Sequence, residues 1–261
     1  MKLGMNTVVF AMTNFETALQ HVEWAGYEYV ELAAIAGMCE HVSIGDDAAK
    51  IKELLARHSL TVTAMEAATN DPERLKALFG LAKEIGINIV NIGSGGKTGD
   101  EESTKASINL MREFALMAAD AGVQLAVKPH VGQAIYNAQT GVRLMNEVTE
   151  GAIGLNFDPS HLARADDNPA EVAPLWGSKI ITSHFRDCPV RVPGPPGTPV
   201  QQTPGRGALD LPEILQALKG TGYDGPVNLE VIGTKEYSLS QGAIVAAESR
   251  GYLRRCFQEL S

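Results

Sequence analysis

Eight short runs rich in valine, isoleucine and other apolar residues recur along this chain, at residues 3–10, 29–32, 61–67, 87–92, 124–129, 153–158, 180–185 and 227–231. Stretches with helical spacing separate them. The runs are nearly continuous in apolar character rather than alternating, as strands covered on both faces should be. Strands of that kind joined by helices are parallel, with right-handed crossovers. Eight such units favour closure into a (β/α)8 TIM barrel, and 261 residues is close to the ~250 typical of that architecture. The competing architecture is an open doubly wound sheet. It would place a glycine-rich phosphate turn after the first strand, where this chain reads Val8-Val9-Phe10-Ala11-Met12.

The helix signals are local. Asp71-Pro72-Glu73 supplies an N-cap, a proline at the first helical position and an acid in the first turn. Leu75, Leu78, Ala82 and Ile85 then line one face, and Gly86 ends the helix. Residues 103–121 repeat the pattern with Ile108, Met111, Ala115 and Ala118 and stop at Gly122, and Gly26 and Gly222 punctuate two further ends. Residues 1–261 therefore read as one barrel domain. One segment stands apart, residues 187–209 after the seventh strand, which hold six of the thirteen prolines and four glycines. A loop this long in a compact domain is functional or a mobile excursion, and its position predicts a lid over the barrel mouth or a contact with a second subunit.

Charge narrows the partners. A net charge of −9 argues against nucleic acid or an anionic membrane, both of which require clustered Lys and Arg. No apolar run approaches the ~20 residues of a membrane span. Cys39, Cys188 and Cys256 show no paired spacing, and the N-terminus enters a strand pattern without an apolar leader. Both features point to a reducing, cytoplasmic setting. The run Gly93-Ser94-Gly95-Gly96-Lys97-Thr98 imitates a phosphate loop but has Asn91 where that motif requires glycine, so it reads as an ordinary loop.

The chemistry gathers at strand ends in the second half: Lys128-Pro129-His130, Asp158-Pro159-Ser160-His161, His184-Phe185-Arg186-Asp187 and Leu229-Glu230-Val231. In a barrel those ends share one mouth. Asp158, His184 and Glu230 offer two hard oxygens and an imidazole, a set suited to a divalent metal: Mn²⁺, Mg²⁺, Co²⁺ or Zn²⁺. A buried hydrogen-bonded network without metal would satisfy the same groups. Lys128 is the odd member. Without a metal, facing Asp158 and Glu230, it stays an ammonium; beside a divalent ion its pKa falls toward the range where lysine exchanges protons. His130, two residues on and on the same side of a pleated strand, is placed to complete the coordination sphere. Arg164 and Arg186 flank the expected pocket and suit an anionic substrate or surface salt bridges equally. Glu66, ending the third strand, is placed to orient a substrate hydroxyl or to pair with Lys128.

Nearly the whole chain resembles the xylose-isomerase-like barrels grouped as sugar phosphate isomerases/epimerases. The segments that carry the resemblance are LGMNTVVF, GYEYVEL, FDPSHL, SHFRD and PGRGALDLPEILQAL with GYDGPVNLEV. It implies a metal on Glu, Asp, His and Glu at the ends of strands five to eight, the last three matching Asp158, His184 and Glu230. His161 matches a histidine that meets substrate oxygens, and Arg186 lies where many members place a basic substrate-binding residue. The first glutamate is missing, because VQLAVKPH puts Lys128 at its position. In the epimerases that glutamate and the one matching Glu230 are also the acid/base pair.

The expected function is therefore an isomerase or epimerase acting on a small keto-sugar or sugar acid through an enediolate, with Glu230, Lys128 and His161 as the catalytic candidates. One alternative is a lyase, dehydratase or decarboxylase on an oxidised sugar that uses Lys128. Another is a non-catalytic sugar-binding barrel. The related abasic-site endonuclease is set aside, since its extra histidines after strands three and four are replaced by Glu66-Ala67-Ala68 and Ile92-Gly93-Ser94, and the charge is wrong for DNA. Barrels of this kind often form homo-oligomers, which is the remaining partner expectation.

Overall fold

The computed structural model describes residues 1–189 and 194–260. Eight strands run parallel: β1 Lys2–Asn6, β2 Tyr29–Ile35, β3 Thr61–Glu66, β4 Ile89–Gly93, β5 Gln124–Lys128, β6 Ile153–Phe157, β7 Ile180–Phe185 and β8 Pro226–Leu229. Each pairs with its neighbour in sequence order. β1 pairs with both β2 and β8, Gly4 opposite Tyr29 and Lys2 opposite Pro226, and so closes the single-domain (β/α)8 TIM barrel. The helices are α1 Phe15–Trp24, α2 Ala48–Arg57, α3 Pro72–Ile85, α4 Glu101–Ala121, α5 Ala138–Glu147, α6 Pro159–Arg164, α7 Pro169–Trp176, α8 Pro199–Gln202, α9 Leu211–Gly220 and α10 Leu239–Glu259.

The caps follow from side-chain chemistry. The Asp71 carboxylate accepts the Glu73 and Arg74 N–H groups at the start of α3, and Gly86 ends it at φ 96°, a left-handed conformation that glycine adopts without steric cost. α4 starts two residues earlier than its apolar periodicity suggests, because Asp100 caps it by accepting from Ser103 N–H.

Where strand limits differ from the apolar runs, polar residues are the cause. β1 stops at Asn6, whose Oδ1 accepts the Val8 N–H at 2.8 Å and turns the chain into a 3₁₀ segment at Thr7–Phe10. β2 continues to Ile35, and the two-residue strand Cys39–Glu40 folds back against it. The registers slip between Val30 and Glu31 and between Leu155 and Asn156. Such bulges re-aim side chains, and both Glu31 and Asn156 end in a buried polar layer.

The described part of the proline-rich loop is held by Asp187 and Gln202. Asp187 Oδ1 accepts from Cys188 and Leu209 N–H, and Oδ2 accepts from Gly205 N–H. Gln202 is buried and exchanges hydrogen bonds with the Ile232 backbone just past β8. Residues 190–193 of the segment, Pro193 included, lie outside the described residues.

Candidate active site

Beneath the mouth a layer of buried polar groups crosses the barrel. Asn6 at the end of β1 donates to Glu31 Oε2 at 3.1 Å and to Glu66 Oε2 at 2.7 Å. Asn91 on β4 donates to Glu31 Oε1, and Asn156 on β6 donates to Asn91 Oδ1 at 3.0 Å. His184 Nε2 lies 2.6 Å from Glu31 Oε2. A carboxylate on one ring nitrogen fixes the proton there and leaves the other nitrogen, Nδ1, turned toward the strand ends.

Lys128 ends β5 and meets that nitrogen. Its Nζ lies 2.7 Å from Glu230 Oε1, 2.9 Å from Glu66 Oε1 and 3.2 Å from His184 Nδ1. Three acceptors match the three N–H bonds of an ammonium. Asp158 and Glu230 follow β6 and β8 directly. Asp158 caps α6 by accepting from His161 N–H at 3.1 Å. Arg186, just past β7, donates from Nε to Ser160 Oγ at 3.0 Å. Its other nitrogens lie 3.1 Å from Glu230 Oε2 and 3.7 Å from Asp158 Oδ2.

Four buried carboxyl groups (Glu31, Glu66, Asp158, Glu230) thus face two fixed cations, Lys128 and Arg186. The protonation pattern follows. Burial opposes charge on Lys128, but Glu230, Glu66 and Asp158 outweigh it and push its pKa up, so it is an ammonium. Burial also opposes charge on Glu230, yet Lys128, His184 and Arg186 hold it well below the usual carboxylate range. Burial and repulsion from Glu230 push Glu66 up to about 7 against the attraction of Lys128. Burial disfavours an imidazolium at His184, but Glu31 and Glu230 outweigh it and push its pKa up to about 10. Against that pull stands the contact with Lys128: the two groups cannot both place a proton in the 3.2 Å gap between them, and the ammonium's three acceptors favour the proton on Lys128. Burial and then Arg186 hold His161 well below its ordinary pKa. Val131 N–H donates to its Nδ1 at 3.2 Å, and Arg186 Nη2 stands 2.9 Å from its Nε2. His161 is a neutral ring.

A cavity of about 150 Å³ opens over these groups, lined among others by Ile35, Met38, Glu66, Lys128, His161 and Glu230. Ligand sites for drug-sized molecules run to about 300–1,000 Å³, so this one suits a small molecule. Arg186 and His130 also line it, while Asp158 and His184 lie behind. His130 stacks on His161 at 3.9 Å between ring centres and contacts its neighbour's carbonyl through Nδ1; it joins neither metal-capable group among the described residues. Arg164 does not line the cavity; its Nε donates to the Gly194 carbonyl at 2.8 Å and so ties the loop to α6. The described loop residues do not line the cavity either. Sequence reasoning did not single out Glu31, Asn6, Asn91 and Asn156. A larger cavity of about 420 Å³ opens at the opposite end around Tyr27, Tyr223 and Phe257, away from this charged set.

Asp158, His184 and Glu230 come together as expected, with ligand atoms within 4.8 Å of one another; Glu31, Glu66 and His184 form a second such group. The first is a cluster that could hold a metal. Asp158 Oδ2 and Glu230 Oε2 are buried and accept no hydrogen bond, and His184 Nδ1 lies 3.4 Å from Glu230 Oε1. Two hard oxygens and an imidazole nitrogen fit a divalent ion, whose binding would require the ring in its neutral form.

Comparison with known proteins agrees with this fold. The pattern that defines the xylose isomerase-like TIM barrels matches residues 19–256. The inosose isomerase of Bacillus velezensis is 24% identical over 257 residues, covering 92% of this chain and 91% of that protein. A 3-dehydroshikimate dehydratase of Pseudomonas aeruginosa is 25% identical over 162 residues, which are 61% of this chain and 26% of that protein. Among solved structures, the IOLI protein with a binding zinc atom superposes with a TM-score of 0.78 at 21% identity, covering 97% of this chain and 99% of that one.

Proposed function

The chain belongs to the xylose isomerase-like TIM barrels, and on that footing we propose that it is an enzyme that removes a proton beside the carbonyl of a small polyhydroxylated ketone. The observation that carries the proposal is the Glu66–Lys128–Glu230 array at the floor of the cavity. The charge of an ammonium beside a carbonyl oxygen stabilises the negative charge that develops there as the neighbouring C–H bond breaks. The two carboxyl groups have environments that drive their pKa values apart, which assigns their roles. Glu230 stays a carboxylate and takes the proton. Glu66, pushed up to about 7, holds a proton often enough near neutrality to return one. His161 and Arg186 fix the remaining substrate oxygens. A divalent ion on Asp158, His184 and Glu230 would supply Lewis-acid polarisation of the same oxygens.

Reprotonation of the enediolate gives isomerisation or epimerisation. Loss of a hydroxyl from the next carbon gives dehydration, the second reading, supported by the dehydratase among the relatives. Both share the first step. With Arg164 away from the cavity and Arg186 engaged by Glu230 and Ser160, an uncharged keto-sugar or keto-cyclitol fits better than a phosphorylated one.

The test is incubation in D₂O with a panel of inososes, ketohexoses and 3-dehydroshikimate. Deuterium entering the carbon next to the carbonyl supports the first step, and new ultraviolet absorption from an enone marks dehydration. A folded protein that does neither across the panel would refute the proposal.

A further inference from the structure

The ammonium of Lys128 and a divalent ion would have to use the same groups. His184 has one nitrogen to offer, because Nε2 is held by Glu31 at 2.6 Å, and Lys128 Nζ stands 3.2 Å from the other. The Glu230 carboxylate accepts from the same Nζ at 2.7 Å. An ion bonded at about 2 Å to Nδ1 and to Glu230 would leave the ammonium facing a doubly charged neighbour inside a buried site. Asp158 Oδ2 and Glu230 Oε2 take no hydrogen bond from Lys128, so the ammonium and the ion contest His184 Nδ1 directly and share the Glu230 carboxylate through its two oxygens.

We infer that Lys128 is a tethered competitor of the divalent ion: the site holds the ammonium or the ion, and the ion enters only when Lys128 withdraws from His184 and Glu230. Entry then breaks two hydrogen bonds of a charged group. Each is worth about a factor of ten, so the lysine weakens metal binding by about a hundredfold. The inference does not depend on the reaction proposed above, since it concerns occupancy and not turnover.

Calorimetric titration with Mn²⁺ tests it on the full chain after removal of metals with chelator. Lys128→Met keeps most of the stem volume and removes the charge, and its Mn²⁺ affinity should exceed that of the wild type by about a hundredfold. Lys128→Arg keeps a cation and should stay weak. Equal affinities for all three proteins would overturn the inference. Should Lys128→Met fail to fold, a crystal of the wild type soaked in MnCl₂ decides without a variant. An ion on His184 and Glu230 with Lys128 Nζ displaced supports competition. The same ion with Nζ still within hydrogen-bonding distance of both groups excludes it.

Discussion

Glu66 gives the sharpest physical test of the site, because its carboxyl is buried and shifted in a direction that stability measurements can follow. Its pKa is 4.5 in an ordinary environment and is pushed up to about 7 in the folded chain, first by burial and then by Glu230. A raised carboxyl pKa means that the folded state binds more protons than the unfolded chain between those two values. Stability from this group is fully present below the unfolded pKa and is lost as pH rises through the folded one. With these two values, linkage gives a loss of about 2–3 kcal/mol between about pH 5 and pH 8 from Glu66 alone. For a chain of this size that corresponds to about 5–10 °C in melting temperature.

Glu66→Gln removes the titration and preserves the shape. Its amide oxygen still accepts a hydrogen bond, although Asn6 loses an acceptor with charge. Urea unfolding of both proteins at a series of pH values, with chelator present, isolates the residue as a difference. The wild-type curve should fall relative to the variant by about 2–3 kcal/mol across that interval, with the steepest change near about pH 6, between the two pKa values, and flattening above about pH 7. Parallel curves would show that Glu66 is ionised throughout, and the acid role given to it would go with the shift. A wild type that gains stability relative to the variant as pH rises would mean that Lys128 dominates and Glu66 is an ordinary salt-bridge carboxylate.

Two further outcomes follow from the geometry. Glu31→Gln removes the anion that orients His184 and should lower turnover by about 10–100-fold with the fold intact, checked by steady-state kinetics and circular dichroism; unchanged kinetics would mean that the His184 ring is held by packing alone. Arg164→Ala frees the Gly194 carbonyl and should speed limited proteolysis within residues 187–209 while turnover stays within about threefold, because Arg164 does not reach the cavity. Loss of activity with an unchanged cleavage pattern would restore Arg164 to the substrate site.

The half of the site that was legible in the sequence lies at strand ends. Lys128, Asp158, His184 and Glu230 stand next to apolar runs, and parallel closure leaves such ends nowhere to go but one mouth. Glu31 was harder. It interrupts Tyr29-Val30-Leu32 in a strand covered on both faces, and a carboxylate there must be paired. That much is a usable signal, but its partners come from β1, β4 and β7, and only closure of the barrel with a register slip beside Glu31 brings them together. Asn6 was hidden for a similar reason, as part of an apolar run that the asparagine itself terminates. Arg164 looked like a pocket residue because it follows β6 closely in sequence. The short helix α6, started by the Asp158 cap, carries it to the loop instead.

Charge links these residues to what the site can accept. Four buried carboxyl groups against two fixed cations leave the layer short of positive charge, and the structure meets the deficit locally: a Glu66 pKa pushed up to about 7, an upward pull on His184, and a lysine at the one strand end that points at both. Replacing that lysine by a neutral side chain removes one of only two fixed cations. The layer must then take up a proton or an ion, since an unpaired buried carboxylate is costly. A neutral polyhydroxy ketone adds nothing to the deficit until its enediolate forms, and the charge then develops beside the ammonium. A phosphorylated substrate would bring its charge at the outset, into a cavity whose arginine is already engaged by Glu230. On the proposed reaction, the same imbalance that makes Lys128 hard to displace would favour an unphosphorylated substrate whose new negative charge develops beside the ammonium.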